Sequence, residues 1–211
     1  MKTKKRKFLR RYTNLPSLFD ILQNKRITLL NPTTWDDTND SYFIEKYRIK
    51  SELKSILALC FTEKAETYHH WKVFSNGTSG VCISFDKDLL LKQLKSIEGI
   101  RYKSVEYKRI NQLENSKIKL EDMPFIKRLP YEDEKEFRII YESKTEKLNY
   151  KYFDIEINCI DKITLNPWIP TTLLITLRKV IKEIINSNNI KVHKTTLISN
   201  EQWKKAADKI A

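Results

Sequence analysis

Glycine is nearly missing. The 211-residue chain has three: Gly77, Gly80 and Gly99. No Gly-rich phosphate loop of the P-loop or Rossmann kind can be written with so few. Those two nucleotide sites are excluded, while other nucleotide-binding folds are not. Histidine is equally scarce, with His69, His70 and His193 alone. No HExxH spacing occurs, so no metal site is expected. The three cysteines, Cys60, Cys82 and Cys159, lie in the apolar runs "LALCF", "GVCISF" and "INCID". An odd count without a CxxC pair points to reduced, structural thiols in a cytoplasmic protein. "NPWIPTTLLITL" is too short and interrupted to span a bilayer, so no membrane partner is expected. The basic start, "MKTKKRKFLRR", has no apolar run behind it and does not read as a secretory signal.

What the chain does have is positive charge. Lys and Arg number 40 against 27 acidic residues, a formal net charge of +13. Such an excess favours a polyanionic partner, and nucleic acid is the expected one. The alternative is a solvated basic surface in a Lys-, Ile- and Asn-rich chain. With apolar residues at 40%, there is enough to build a real core.

Periodicity predicts a strand over "FLRRYT" and a helix over "NLPSLFDILQN", capped by Asn14 with Pro16 in its first turn. "RITLL", "SILALCF" and "GVCISF" read as strands, and "ETYHHWKVFS" as a helix between the last two. A helix is expected from Phe43 to Leu53. Asp86 is placed to cap "KDLLLKQLKS". "IRYKSVEYKRI" and "EFRIIYE" alternate like strands, and "YFDIEIN" and "IDKITLNP" add two more. "TTLLITLRKVIKEIIN" is the longest amphipathic helix. A short strand, "IKVHKTTLI", and a polar tail close the chain. The expectation is a basic tail over residues 1–7, then a single α+β domain over 8–211. Its strands should be mainly antiparallel, with several short helices.

Four segments carry candidate chemistry. In "EDEKEFRIIY" strand alternation puts Glu134, Glu136 and Arg138 on one face with Ile140, and Phe137, Ile139 and Tyr141 on the core face. Glu136 beside Arg138 is a candidate catalytic carboxylate; the plainer alternative is a solvent-facing salt-bridge ladder. In "ETYHHWKVF", His69 and His70 point about 100° apart on a helix, so they cannot share a metal. His70 is a candidate general base or ligand partner, and a structural role is the alternative. Trp71 and Phe74 are expected to be buried there. In "WDDTND", Asp36, Asp37 and Asp40 could together hold a divalent cation, but the EF-hand spacing and glycine are missing, and the favoured reading is a loop whose aspartates bond backbone amides, with Trp35 as its anchor. Arg10, Arg11 and Tyr12 open the first strand, where cations and an aromatic suit phosphate and base.

Taken together these segments resemble a known family. "LRRYTNLPSLFDILQNKRITLLNPTTWDDTNDS", "LALCFTEKAETYHHWKVFSNGTSGVCISFD", "EKEFRIIY" and "VHKTTLI" follow, in order, the blocks of the bacterial domain of unknown function 2971 family. "WDDTND" stands where many members have Asn-Asp-Pro, and Phe74 where many have Tyr. "RRYTNLPSLFDIL" also resembles the opening strand and helix of ADP-ribosyltransferase-like folds that act on nucleic acid. That resemblance implies NAD as cofactor, with Arg11, Tyr12 and Thr13 holding it and Tyr68 or Trp71 stacking on nicotinamide. Glu136 would then be the catalytic glutamate, with Arg138 beside it. It implies an effector of the toxin or phage-defence kind. Two other readings need no NAD: a non-catalytic nucleic-acid-binding module, and a metal-independent ribonuclease using His69 or His70 with Lys72 or Glu66.

Overall fold

The computed structural model describes residues 6–75, 77–115, 117–185 and 190–210. Most of the expected basic tail therefore lies outside the described residues. The chain opens with β1 (Phe8–Asn14), α1 (Leu15–Asn24) and β2 (Arg26–Leu30). Asn14 caps α1 by accepting the Ser17 amide at 2.9 Å, and Lys25 ends it in a left-handed conformation (φ 51). Next come α2 (Thr38–Lys50), β3 (Ser55–Thr62), α3 (Tyr68–Phe74), β4 (Gly80–Asp86) and α4 (Lys87–Leu94). Asp86 caps α4 as the sequence predicts, accepting the Asp88 and Leu89 amides.

The predicted long strand from Ile100 is broken in two. β5 (Ile100–Ser104) stays with the main sheet, while β6 (Glu106–Lys108) pairs in parallel with a later strand, β7 (Ile126–Arg128). Between them lies α5 (Ile110–Asn115). β8 (Glu136–Ser143), β9 (Tyr150–Asp154), β10 (Ile160–Leu165), α6 (Thr171–Ile185) and β11 (Lys191–Lys194) follow. The segment expected to be a polar tail forms α7 (Glu201–Ala207), capped by Asn200.

The described residues form an α+β fold around one nine-stranded sheet, in which only β10 and β11 pair in parallel. Its order is β11-β10-β4-β1-β3-β2-β9, with β8 also pairing with β3 and β5 with β8. The centre of this sheet is split. β3 pairs with β8 along its whole length, from Ser55↔Ser143 to Thr62↔Glu136. On its other side it meets β1 only at Arg10↔Thr62 and β2 only at Leu30↔Ala58. β1 instead follows β4 throughout. A strand edge released in this way leaves backbone groups to be satisfied otherwise. Arg11 does so, its Nη1 donating to the Cys60 carbonyl at 3.3 Å across the gap.

Two apolar clusters sandwich β3 and β8. Phe137, Ile139 and Tyr141 point into the larger one, with Leu18 and Leu22 of α1. Ile140 points the other way, into a smaller cluster with Ile44 and Tyr47 of α2. The face bearing Glu136 and Arg138 is therefore neither solvent nor an open ladder, because α2 covers it.

Candidate active site

The split between β1 and β3 opens into a cavity of about 450 Å³. β1 contributes Arg10, Arg11 and Tyr12 to its wall, and β3 contributes Cys60, Phe61 and Thr62. α3 adds His70, Val73 and Phe74. The loop into α2 supplies Trp35, Asp36 and Asp37, with Asp40 from the first turn. Lys127, Tyr131, Glu134 and Glu136 close the far side.

Glu136 is buried on this wall, with 5% of its surface exposed. Arg138, two residues on along β8, grips it from below: Nε lies 2.7 Å from Oε1 and Nη2 lies 3.1 Å from Oε2. The same guanidinium reaches Asp40 with Nη1 at 3.0 Å and Nη2 at 2.6 Å, and Nη1 also donates to the Pro124 carbonyl at 2.8 Å. Every N–H of Arg138 is thereby engaged. The Trp35 ring lies over it at 5.0 Å. Lys127 joins from β7, with Nζ 2.6 Å from Glu134, 3.4 Å from Glu136 and 3.8 Å from Asp40. The Tyr107 hydroxyl accepts the Glu136 amide at 2.8 Å.

The electrostatics follow from this packing. Burial alone would raise the Glu136 pKa, but Arg138, its hydrogen bonds and Lys127 outweigh that and bring it down to about 2. For Glu134, burial outweighs the attraction of Lys127 and the pKa goes up. Burial raises Asp40 too, against the pull of Arg138. Glu136 is therefore the carboxylate held most firmly ionised.

His70 is buried and fully engaged. Nε2 lies 3.3 Å from the Glu134 carbonyl, which can only accept, so Nε2 carries the proton. Nδ1 then accepts from the Thr67 hydroxyl at 2.6 Å, and that oxygen in turn accepts the His70 amide at 3.2 Å. Burial pushes the imidazole pKa below its usual value, which keeps the ring neutral. Its face lies against Tyr12, with ring centroids 5.4 Å apart.

Of the residues singled out from sequence, Glu136, His70, Arg11 and Tyr12 share this one cavity. Four others stand off its wall. Thr13 sits in β1 opposite Val81. Tyr68 packs against Trp168 on the outer side of α3. Trp71 is wholly buried, its Nε1 donating to Glu66 at 2.6 Å, and it stacks edge-on against Tyr12. Arg138 lies behind Glu136 with no donor left for a ligand. Phe74, expected in the core, is 40% exposed and lines the cavity mouth. Glu134 is not on the strand: it ends a 3₁₀ turn (Leu129–Glu134), and Lys135 at φ 44 breaks the alternation before β8 begins. Its carboxylate reaches the site through Lys127 instead. Lys127 was not foreseen as a site residue, and Asp40, expected to bond backbone amides in a loop, instead pairs with Arg138. Asp37 gave the one available signal, because as helix N-cap it accepts the Asn39 and Asp40 amides and sets Asp40 in the first turn.

Among the described residues, no group of three or more His, Cys, Asp or Glu is placed to hold a metal ion, and no helix is long and apolar enough to cross a membrane.

Residues 70–139 match the model of a family described as a protein of unknown function, DUF2971. The span takes in α3, β4 and β8 up to Ile139, and so includes Glu136 and Arg138. No curated protein matches the chain. Among solved structures, Thermus sp. 2.9 DarT in complex with carba-NAD+ has a TM-score of 0.46 at 7% identity, covering 92% of this chain and 97% of that one. The same protein in complex with ADP-ribosylated ssDNA has a TM-score of 0.45 at 10% identity, covering 90% and 94%. Its complex with NAD+ has a TM-score of 0.44 at 8% identity, covering 92% and 98%. At these scores the likeness carries no argument about activity.

Proposed function

We propose that the cavity between β1 and β3 binds NAD and that the protein transfers ADP-ribose from it to an acceptor, with nucleic acid as the acceptor class. One observation carries this reading: Glu136, held ionised by Arg138 and Lys127, shares a cavity with two arginines and several aromatic rings. Breaking the bond between nicotinamide and ribose leaves the electron pair on the nicotinamide nitrogen and builds positive charge on the sugar. An anionic carboxylate fixed beside that carbon stabilises the charge as it develops. Arg10 and Arg11 suit the diphosphate. Tyr12, Trp35 and Tyr131 offer faces to the flat rings. The acceptor's lone pair forms the new bond to the sugar, and its proton goes to solvent. The net charge of +13 favours a polyanionic acceptor. By analogy, such an activity suits a toxin or a phage-defence effector.

The ribonuclease reading is less favoured, because both ring nitrogens of His70 are committed and the ring is neutral, while His69 is exposed and does not line the cavity. A non-catalytic binding module would use the same basic surface without Glu136. The test is incubation with NAD labelled in its adenylate, together with cellular RNA, DNA and lysate. Label in the nucleic-acid fraction with release of nicotinamide is expected. Absence of both NAD binding and turnover would overturn the reading in favour of the module.

A further inference from the structure

A second cavity, of about 650 Å³, lies across a thin partition from the first. Asp37, Asp40 and Lys127 line both. The proposed transfer leaves this second space without a role, yet its lining is specific. One wall is apolar and aromatic: Tyr42 and Phe43 from α2 face Ile110 and Leu113 from α5, with Ile126 between them. Two of these are more than half exposed, Tyr42 at 60% and Ile110 at 61%. Such exposure of large apolar groups around a concavity marks a place where something binds.

The partition carries a polar feature of its own. Asp37 Oδ1 accepts the Asn39 and Asp40 amides as the N-cap of α2. Its Oδ2 is enclosed and has no hydrogen-bond partner among the described residues. A buried carboxylate oxygen without a donor is costly, and a ligand N–H is what would satisfy it. Arg128 lies on the rim, and beyond it a shallow third hollow is lined by Lys108, Arg109 and Arg128 again. Arg109 and Arg128 are exposed.

We infer that the second cavity seats one unstacked base of a single-stranded nucleic acid. The base stacks on Tyr42 and Phe43 with an N–H edge towards Asp37, whose enclosed Oδ2 reaches it by a rotation of the carboxylate. The flanking phosphates run out along Arg128 and Arg109. A flat ring with N–H donors joined to repeating anions matches all three features, whereas an acidic peptide would match only the cations. A paired base could not enter, so single strands are selected over duplex. In the proposed transfer this seat would hold a base of the acceptor strand next to the one that reacts, and only that role rests on the transfer; the binding itself does not depend on NAD.

The experiment uses the full chain without NAD. Labelled single-stranded DNA and RNA oligonucleotides of mixed sequence, and a duplex of the same sequence, are titrated by fluorescence anisotropy. Single strands should bind more tightly than duplex. Tyr42→Ala should weaken binding about tenfold, the scale of one lost stack. Asp37→Asn keeps the helix cap, since Asn caps as well as Asp, but puts a donor where the free acceptor stood, and about a tenfold loss is expected. Arg128→Ala should lower the slope of log affinity against log salt by about one. Lys179→Ala, a loss of the same charge on α6, which lines neither cavity, should leave single strands preferred and Tyr42-dependent. Binding by Tyr42→Ala and Asp37→Asn equal to wild type would overturn the inference. So would equal affinity for duplex, or label transfer to protein alone with no oligonucleotide bound. If oligonucleotides bind as described but NAD is not turned over, the transferase reading fails and this one stands.

Discussion

Arg138 and Asp40, 98 residues apart in sequence, form a two-bond fork, with Nη1–Oδ1 at 3.0 Å and Nη2–Oδ2 at 2.6 Å. Neither is open to solvent, and the pair ties the first turn of α2 to the middle of β8. Removing Asp40 strips the acceptors from two buried Arg138 donors, on Nη1 and Nη2, although Glu136 still balances the charge. Asp40→Ala should therefore cost about 3–5 kcal/mol of stability. Breaking the exposed pair between Glu201 and Lys204 by Glu201→Ala should cost at most about 0.5 kcal/mol. Urea titration of both variants measures the contrast, and equal midpoints would show that α2 is not held through Arg138.

The depressed pKa of Glu136 makes a prediction about acid. A carboxyl that is harder to protonate folded than unfolded adds stability above its unfolded pKa and loses it as pH falls towards the folded value. For Glu136 that window runs from about 4.5 down to about 2. Glu134 and Asp40 have the opposite sign, because burial raises their pKa values. The difference in unfolding free energy between wild type and Glu136→Gln is dominated by this group, with a smaller part from the rise its charge imposes on Glu134 and Asp40. It should be roughly constant above pH 5 and shrink by about 3 kcal/mol through the window, at about 1.4 kcal/mol per pH unit. A difference that does not change with pH would show that Glu136 is not held ionised by the fold.

His70 should behave as a neutral structural ring. With Nε2–H directed to the Glu134 carbonyl and Nδ1 accepting from Thr67, protonating Nδ1 would break the second bond. The folded pKa lies below the usual 6.5, so the unfolded chain takes up the proton first. Stability contributed by His70 is present above about pH 6.5 and declines as pH falls below it. Ring chemical shifts of His70 should show a neutral imidazole near pH 8 and a ring less protonated than a free imidazole as pH falls, and His70→Ala should cost about 1–3 kcal/mol. A charged ring at pH 7 would return His70 to the list of candidate acids.

Trp71 and Phe74 show where sequence periodicity stops being sufficient. Three residues on an α-helix turn through about 300°, so Tyr68 and Phe74 diverge by about 60° to either side of Trp71. Only the middle residue can face the sheet squarely, and it is Trp71 that is wholly buried. Trp71→Ala should cost about 3–5 kcal/mol. Phe74→Ala should cost under about 1 kcal/mol and change the cavity mouth instead. Thermal melts of the two variants decide it, and equal losses would mean that Phe74 packs inward.

Local signals explain what was legible. Asn14 and Asp86 announce their helices because a cap acts over three residues, and β1, β3, β4 and β8 show in their own apolar patterns. Glu136 and Arg138 stand out for the same reason, being adjacent on one face of a clear strand. The start of α2 was hidden: "DDTNDS" has no apolar period, and its order comes from the Asp37 cap and the tie from Asp40 to Arg138. Lys127 was illegible because it sits on a three-residue strand whose partner, β6, is split off from a longer alternating run. Neither a split sheet nor a charge cluster drawn from α2, β7 and β8 leaves a periodic trace.

The claim of catalysis falls on Glu136 and can be separated from the stability of its surroundings. Glu136→Gln keeps the volume and leaves an oxygen to accept from Arg138 Nε, now 2.7 Å from Oε1, while the fork from Arg138 to Asp40 is untouched. The variant should therefore fold, with the stability deficit at neutral pH described above, which shrinks in acid. What it lacks is the negative charge next to the sugar. NAD turnover should fall by about two to three orders of magnitude, the cost of one electrostatic stabiliser, with NAD affinity changed much less. Glu134 is tied to Lys127 and its pKa is raised, so Glu134→Gln should lower turnover by less than about tenfold. Arg11→Lys keeps a cation but loses the planar fork, and should weaken NAD binding more than it slows turnover. Turnover and NAD affinity are measured for all three, at a temperature where each is shown folded by circular dichroism. If Glu136→Gln turns over NAD as fast as wild type, the carboxylate is a structural counter-ion to Arg138 and Lys127, and the transferase assignment falls with it.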